Sequence, residues 1–324
     1  MQYRNLGRSG LVVSRICLGG NSWGAAGRRS WAAFDEAASR PFFKRALDLG
    51  INFFDTADVY NQGASEEAIG SSLIGSVKRD ELVIATKVGS PMADRPNHSG
   101  LGRKHVMASI DASLARLKTD YVDLYMVHRF DPVTPVEEIM STLAEIVRSG
   151  KARFLAASTM RATQFARLQL FARANGLPPF IAMQNLYNLL YREEEREMIP
   201  FCREEGVGLS PYSPLARGVL SGARVAGGNA LTERAREDKM ALRYEGDAGR
   251  AIIERAARIA EAHSVTPAHV ALAWLLHKDG VVAPVVGTTR VEQIDGAAAA
   301  LDLALSPAEI ASLEEPYRAV PATF

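Results

Sequence analysis

Cysteine is scarce: Cys17 and Cys202 are the only two in 324 residues, and they stand in unlike contexts. That count excludes a disulfide framework and argues against a cysteine metal site or a catalytic thiol; it fits two reduced core thiols in a cytoplasmic protein. Charge of one sign is missing too. The formal net charge is +1 and no block of lysine or arginine stands out, so there is no electrostatic footprint for nucleic acid or an anionic membrane. Apolar runs are broken by charges well before the ~18 residues that a membrane span needs. The opening MQYRNLGRSG has no apolar signal core. Absent as well is the G-x-G-x-x-G turn that a doubly wound sheet usually carries after an early strand. What remains is an ordinary globular composition, 47% hydrophobic and 23% charged, with enough apolar material for a large core. The length suits one α/β barrel or two ordinary domains.

Short apolar runs recur along the chain, each followed by an amphipathic stretch. They are RICLGG (15–20), INFFDTA (51–57), ELVIATKVG (81–89), YVDLYMVH (121–128), ARFLAAST (152–159), FIAMQNLYN (180–188), VGLSPYSP (207–214) and VVAPVVGTT (281–289). Parallel strands buried on both faces look like this. Between them, Val106, Ile110, Leu114 and Leu117 recur at intervals of four, four and three, one stripe of a helix. Ile139, Leu143 and Ile146 repeat the pattern before Gly150, a helix stop. Pro267 opens another helix and Gly280 closes it. Eight strands alternating with helices point to the α/β class and a (β/α)8 TIM barrel, with the doubly wound sheet as rival. Two features interrupt the alternation. YRNLGRSGLVVSRI reads as an N-terminal β-hairpin turning at GRSG, placed to plug the barrel floor. Residues 215–248, with little periodicity, read as a long loop over the mouth after strand seven. No linker divides residues 1–324, which read as one domain.

In such a barrel the C-terminal ends of the strands converge on one mouth, where active sites lie. Those ends carry Asp55 and Tyr60 after strand two, Lys87 in strand three and His128 in strand four. Each has a bland alternative: a capped turn, a rim tyrosine, a snorkelling lysine, a hydrogen-bonded structural histidine. Their joint placement favours chemistry. A lysine inside LVIATKVG is buried at a cost unless a carboxylate faces it, and Asp55 on the adjacent strand end is the natural partner. A tyrosine beside that ammonium is expected to have a lowered pKa and to serve as a general acid. His128 is placed to orient a carbonyl. The set suits carbonyl reduction, with a cofactor carrying the hydride. In NFFDTADVYNQGASEEAIG, Ser65 and Glu66 read as cap and first turn of the next helix.

The residues resemble the aldo-keto reductase superfamily. FFDTADVYNQGASEEAIG is close to its signature of aspartate and tyrosine five apart, VIATKVG resembles the segment with the family lysine, and VDLYMVHRFDPVTPVEE the one with the histidine. The wording of HRFDPVTPVEE is nearer the bacterial and potassium-channel-β-subunit-like branch than the aldose reductases. The resemblance implies Tyr60 as acid, Lys87 and Asp55 as its tuning pair, and His128 as the carbonyl-orienting group. It also implies NADPH, with NADH as the alternative, bound across the mouth. Tyr212 matches the aromatic that stacks on the nicotinamide, and Ser158 and Gln184 the residues that hold its carboxamide. Ser213, Leu215, Arg217 and Gly218 match the pyrophosphate loop. Gly287, Thr289, Arg290 and Gln293 match the adenosine-phosphate segment. Gly20, Asn21, Trp23 and Asp55 are assigned to the cofactor site as well. Two positions depart: Thr159 stands where many relatives have Asn, and Gly296 and Ala297 stand where relatives often carry Glu-Asn for the adenine.

The expected activity is reversible, NADPH-dependent reduction of a small-molecule aldehyde or ketone, in a detoxification setting. An NADP(H)-binding sensor with incidental turnover is the alternative, and a lyase using Lys87 as a Schiff base ranks below both. Trp23, Trp31 and Met92, with Tyr60 and His128, are expected to line the substrate pocket. No metal, nucleic acid or membrane partner is expected, and the sequence does not encode a readable oligomeric state.

Overall fold

The computed structural model describes residues 1–24, 34–222, 241, 244 and 246–322. Most of the anticipated 215–248 loop, and Trp31, therefore lie outside the described residues. The chain opens with an antiparallel hairpin, β1 (Tyr3–Asn5) and β2 (Val12–Ser14), in the register Tyr3 to Ser14 and Asn5 to Val12. Its turn carries Gly7 at φ +62, where a Cβ would stand 2.5 Å from the Gly206 carbonyl oxygen, so only glycine admits this approach.

Eight parallel strands follow: β3 (Cys17–Gly19), β4 (Phe53–Asp55), β5 (Val83–Val88), β6 (Val122–Val127), β7 (Ala152–Ser158), β8 (Phe180–Gln184), β9 (Gly208–Leu209) and β10 (Val285–Gly287). They pair in chain order, with β10 beside β3. The ring closes where the Val285 N–H donates to the Pro211 carbonyl at 2.8 Å and Tyr212 bridges Val285 in parallel. Eight strands alternating with helices make a (β/α)8 barrel with an N-terminal hairpin, as the sequence pattern implies.

The helices are α1 (Glu36–Asp48), α2 (Ala64–Ser72), α3 (Arg103–Leu117), α4 (Val136–Arg148), α5 (Ala162–Ala174), α6 (Met198–Glu205), α7 (Asp247–Ala262), α8 (Pro267–His277), α9 (Glu292–Ala299) and α10 (Pro307–Glu314). Local signals start and stop them. Asp35 accepts from the Ala38 N–H at the start of α1, Pro267 and Ser306 open α8 and α10, and Gly150 follows α4 at φ +79. The expected stripe on α3 buries Val106, Ile110 and Leu117, while Leu114 is half-buried.

Two apolar clusters result. The larger fills the space between strands and helices. The smaller lies inside the barrel and joins Leu6 and Val13 of the hairpin to Cys17, Phe53, Val83 and Leu124, so the hairpin does plug the floor. Strand parity then decides what lines the mouth. Phe53, Ala85, Met126, Ala156 and Ala182 point inward, and the inward positions two residues on are Asp55, Lys87, His128, Ser158 and Gln184. A barrel interior that is apolar below becomes polar at its top layer.

Candidate active site

Lys87 is fully buried, and its ammonium group is saturated. Nζ donates to Asp55 Oδ1 at 2.6 Å and Oδ2 at 2.7 Å, to the Thr56 carbonyl at 2.7 Å, and lies 3.3 Å from the Tyr60 hydroxyl. Asp55 also accepts from Gln184 Nε2 at 2.9 Å. Burial alone pulls the lysine down, but Asp55 and Tyr60 outweigh it and leave Lys87 above its ordinary value. A charged amine with its donors engaged is no nucleophile, which removes the basis for a Schiff-base lyase.

The expected lowering of the Tyr60 pKa is not found. Burial raises it most, the Lys87 charge and hydrogen bond lower it, and the Asp55 carboxylate raises it again; the phenol ends above its ordinary value. The ammonium is real, but its charge is largely spent on the carboxylate it grips. His128, just past β6, faces Tyr60 edge-on with ring centroids 5.8 Å apart, and its Nδ1 lies 3.3 Å from Ser90 Oγ. Burial, then the positive charges of Lys87 and Arg129, push the imidazole down to about 3. It is neutral at physiological pH, a hydrogen-bonding group rather than an acid.

This has a consequence for stability. The unfolded chain takes up a proton at His128 near its ordinary value of 6.5, whereas the folded chain does so only near 3. Stability is therefore intact above about 6.5 and is lost as the pH falls toward 3. His128→Gln is expected to gain on the wild type by about 1–2 kcal/mol between pH 7 and pH 5, after a discount for solvent screening at this half-buried ring. Urea unfolding at both pH values checks it, and an equal difference at the two would refute the depressed pKa.

The turn that delivers Tyr60 is elaborately held. Asp58 Oδ1 accepts from the Val59 N–H at 2.6 Å, and Asn61 and Gln62 adopt left-handed φ of 47 and 56. The Asn61 side chain ties the turn to the Trp23 carbonyl at 2.6 Å. Asp58 is buried, and burial with the nearby Glu66 charge raises its pKa to about 7. Glu66 lies in the first turn of α2 as expected, but Ser65 is not its cap: Gly63 takes the N-cap position, with no side-chain cap bond. Ser65 Oγ instead donates to the Gly20 carbonyl at 2.8 Å and meets Thr56 Oγ1 at 2.7 Å, binding the ends of β3 and β4 together. A Cβ on Gly20 would stand 2.7 Å from the Asp55 carbonyl oxygen, so this junction needs glycine. Glu66 is wholly buried, accepting from Thr86 Oγ1 at 2.5 Å and Arg116 Nε at 2.7 Å.

Around this centre, Ser158 Oγ donates to the Gln184 carbonyl at 2.8 Å and stands 3.1 Å from Thr159 Oγ1. Tyr212, half-buried, joins the barrel through Leu186 and Val285. After it, Ser213, Ala216, Arg217 and Gly218 have φ of 53, 47, 59 and 92, and Leu215 is half-buried among them. Across the mouth Gly287 and Arg290 are exposed and Thr289 is half-buried; Gln293 Oε1 accepts the Thr289 N–H at 2.8 Å and the Arg290 N–H at 3.2 Å, so its amide is occupied in shaping this turn. Ala297 is buried, whereas Gly296 is half-buried beside His269.

Two residues expected at the pocket wall sit in different surroundings. Met92 is half-buried in the loop after β5, with its N–H on the His98 carbonyl at 2.9 Å. Trp23 is fully buried, edge-on to Phe43 at 4.3 Å, and so is a core side chain rather than an open pocket wall. Asn21 beside it is exposed. Asp58, Asn185 and Glu194 carried no expectation of a site, although Asp58 lies inside the stretch that carries the signature. The burial of Glu66 comes from the packing of α2 against α3 and from its bonds to Thr86 and Arg116, which a helix start in the sequence does not announce.

Among the described residues no group of three His, Cys, Asp or Glu side chains could hold a metal ion, and no helix is long and apolar enough to cross a membrane. The model of the aldo/keto reductase family matches residues 15–318. A Schizosaccharomyces pombe protein provisionally named an aryl-alcohol dehydrogenase is 42% identical, covering 98% of this chain and 96% of its own length. Versiconal hemiacetal acetate reductase of Aspergillus parasiticus is 40% identical, covering 98% and 97%, and an aldo-keto reductase of Alternaria alternata is 42% identical, covering 98% and 92%. Similar to these over nearly its whole length, with an inward tyrosine, lysine and aspartate at one barrel mouth, the chain belongs to the aldo/keto reductase family.

Proposed function

We propose that this oxidoreductase reduces an aldehyde or ketone with NADPH, Tyr60 serving as general acid. The observation that carries this is the buried chain from Asp55 through Lys87 to the Tyr60 hydroxyl, with bonds of 2.6 and 3.3 Å, opposite a neutral His128. A reduced nicotinamide, when bound, supplies the hydride. The chain's own residues do the rest. With Nδ1 taken by Ser90, His128 presents Nε2 to the carbonyl oxygen and orients it. Tyr60 keeps its proton at neutral pH and gives it up to an alkoxide, a far stronger base than a phenolate. As it does so, Lys87 lies in place to stabilise the phenolate, while Asp55 holds Lys87 from behind and is itself held by Gln184.

Two observations support the fit of a dinucleotide cofactor. Thr288 Oγ1, between Gly287 and Thr289, is buried without a hydrogen-bond partner among the described residues. The run from Ser213 to Gly218 concentrates left-handed residues that are not glycine, a strain that proteins keep at ligand clamps. Ser158, Gln184 and Tyr212 would hold the nicotinamide end, Ser213, Leu215, Arg217 and Gly218 the pyrophosphate, and Gly287, Thr289 and Arg290 the adenosine phosphate. Gly20, Asn21 and the Trp23 backbone border the same mouth.

The exposed Arg290 favours NADP over NAD through charge-assisted bonds to a 2′-phosphate. The names of the relatives, an aryl-alcohol dehydrogenase and a hemiacetal acetate reductase, favour an aryl aldehyde or a comparably bulky carbonyl as substrate. NADPH titrated by fluorescence, followed by loss of its absorbance with a panel of aromatic and aliphatic carbonyls, tests the reading. Turnover with at least one aromatic aldehyde is expected, and Arg290→Ala should weaken NADPH about tenfold while leaving NADH within twofold. Binding without any turnover would instead establish a nucleotide sensor.

A further inference from the structure

Thr159, just past the end of β7, has φ +43, a conformation that a β-branched residue adopts only under constraint. The constraint is visible. The Thr159 N–H lies 3.3 Å from the Gln184 carbonyl and 3.1 Å from Asn185 Oδ1. The Asn185 side chain has its other end on Glu194, Nδ2 to Oε2 at 2.6 Å. Because Oδ1 must accept and Nδ2 must donate, these two partners fix the orientation of the Asn185 amide. Both Asn185 and Glu194 are about 4% exposed. The Asn185 backbone carbonyl also accepts the Tyr212 N–H at 3.0 Å. One asparagine thus reaches the strand end bearing Ser158 and Thr159 and the strand end bearing Tyr212.

We propose that Asn185 and Glu194 are positioning residues that clamp Thr159 in its left-handed conformation, and so hold the Ser158–Thr159 hydroxyl pair and Tyr212 at the nicotinamide end of the cofactor site. The ligand named here rests on the proposed function; the clamp itself does not. Glu194 has reason to be kept for this task. Its second oxygen, Oε1, is buried with no hydrogen-bond partner among the described residues, and burial raises the Glu194 pKa to about 7 against the opposing bond from Asn185. A side chain so poorly satisfied contributes little to stability by itself, and its useful contact is the one to Asn185.

A double-mutant cycle separates positioning from simple destabilisation. Asn185→Ala is expected to weaken NADPH binding about tenfold. In a Thr159→Gly background, where left-handed φ costs nothing, the same change should weaken it by less than threefold. Equal losses on both backgrounds would overturn the clamp. Hydrogen exchange gives a readout without cofactor: the Thr159 amide should exchange at least tenfold faster in Asn185→Ala, and an unchanged rate refutes the proposal even if the wild type binds no nucleotide. Failure of the wild type to bind NADPH or NADH would strike the proposed function alone. Should Asn185→Ala not fold, Glu194→Ala against Glu194→Gln serves. The glutamine keeps an acceptor for Asn185 and should recover most of the amide protection lost in the alanine variant; equal protection in the two would also refute the clamp.

Discussion

Tyr60→Phe is expected to lower the rate of carbonyl reduction by about a thousandfold while leaving NADPH affinity within twofold, the span of effects that a positioned acid contributes being about 10²–10⁴. The substitution removes one oxygen and keeps the ring, so the edge-on contact with His128 and the packing over Lys87, whose Nζ lies 4.8 Å from the ring centroid, are retained. What is lost is the hydroxyl 3.3 Å from the ammonium. Lys87 keeps its three remaining acceptors, Asp55 Oδ1, Asp55 Oδ2 and the Thr56 carbonyl, so the fold has little reason to respond. Single-turnover rates with saturating NADPH measure the step directly. Wild-type rates in the variant would show that the proton comes from elsewhere.

The second large effect concerns stability. Lys87→Met is expected to cost about 3–5 kcal/mol, because it leaves the Asp55 carboxylate in the barrel interior with no cation beside it. Asp55 retains only neutral donors such as Gln184 Nε2, and its side chain is 2% exposed. The proposed chemistry fails with it, since nothing then stabilises a Tyr60 phenolate. Adding Asp55→Asn removes the uncompensated charge and should restore at least half of the lost stability without restoring turnover. Urea unfolding of the wild type, the single and the double variant, alongside turnover, separates the two roles. A double variant no more stable than Lys87→Met would mean that the pair does not act as a buried ion pair.

Asp55, Lys87 and His128 were legible as polar residues at the C-terminal ends of apolar runs, whereas Ser158 and Gln184 entered only through the family resemblance. In the structure, alternation along β4, β5, β7 and β8 places Asp55, Lys87, Ser158 and Gln184 on one side, with His128 continuing β6. A lysine in such a run demands a carboxylate, and the adjacent strand end supplies one. Helix termini such as those at Pro267 and Gly150 were legible because these residues act through their own backbone. Ser65 was misread because the same hydroxyl suits a cap and a cross-strand tie, and the choice depends on how closely β3 approaches. Trp23 was misread because aromatic character suits both a pocket wall and a core, and its contact with Phe43 comes from α1.

The sequence by itself determined the alternation of strand and helix, the inward set of polar residues at the mouth, and the pairing of Lys87 with Asp55, because period and charge balance are local properties of a chain. Tertiary structure alone decided the electrostatic outcome: a Tyr60 raised rather than lowered, a His128 near 3, and buried Glu66, Asn185 and Glu194 behind the site. Desolvation depends on every atom packed around a group, and those atoms arrive from segments far apart in the chain.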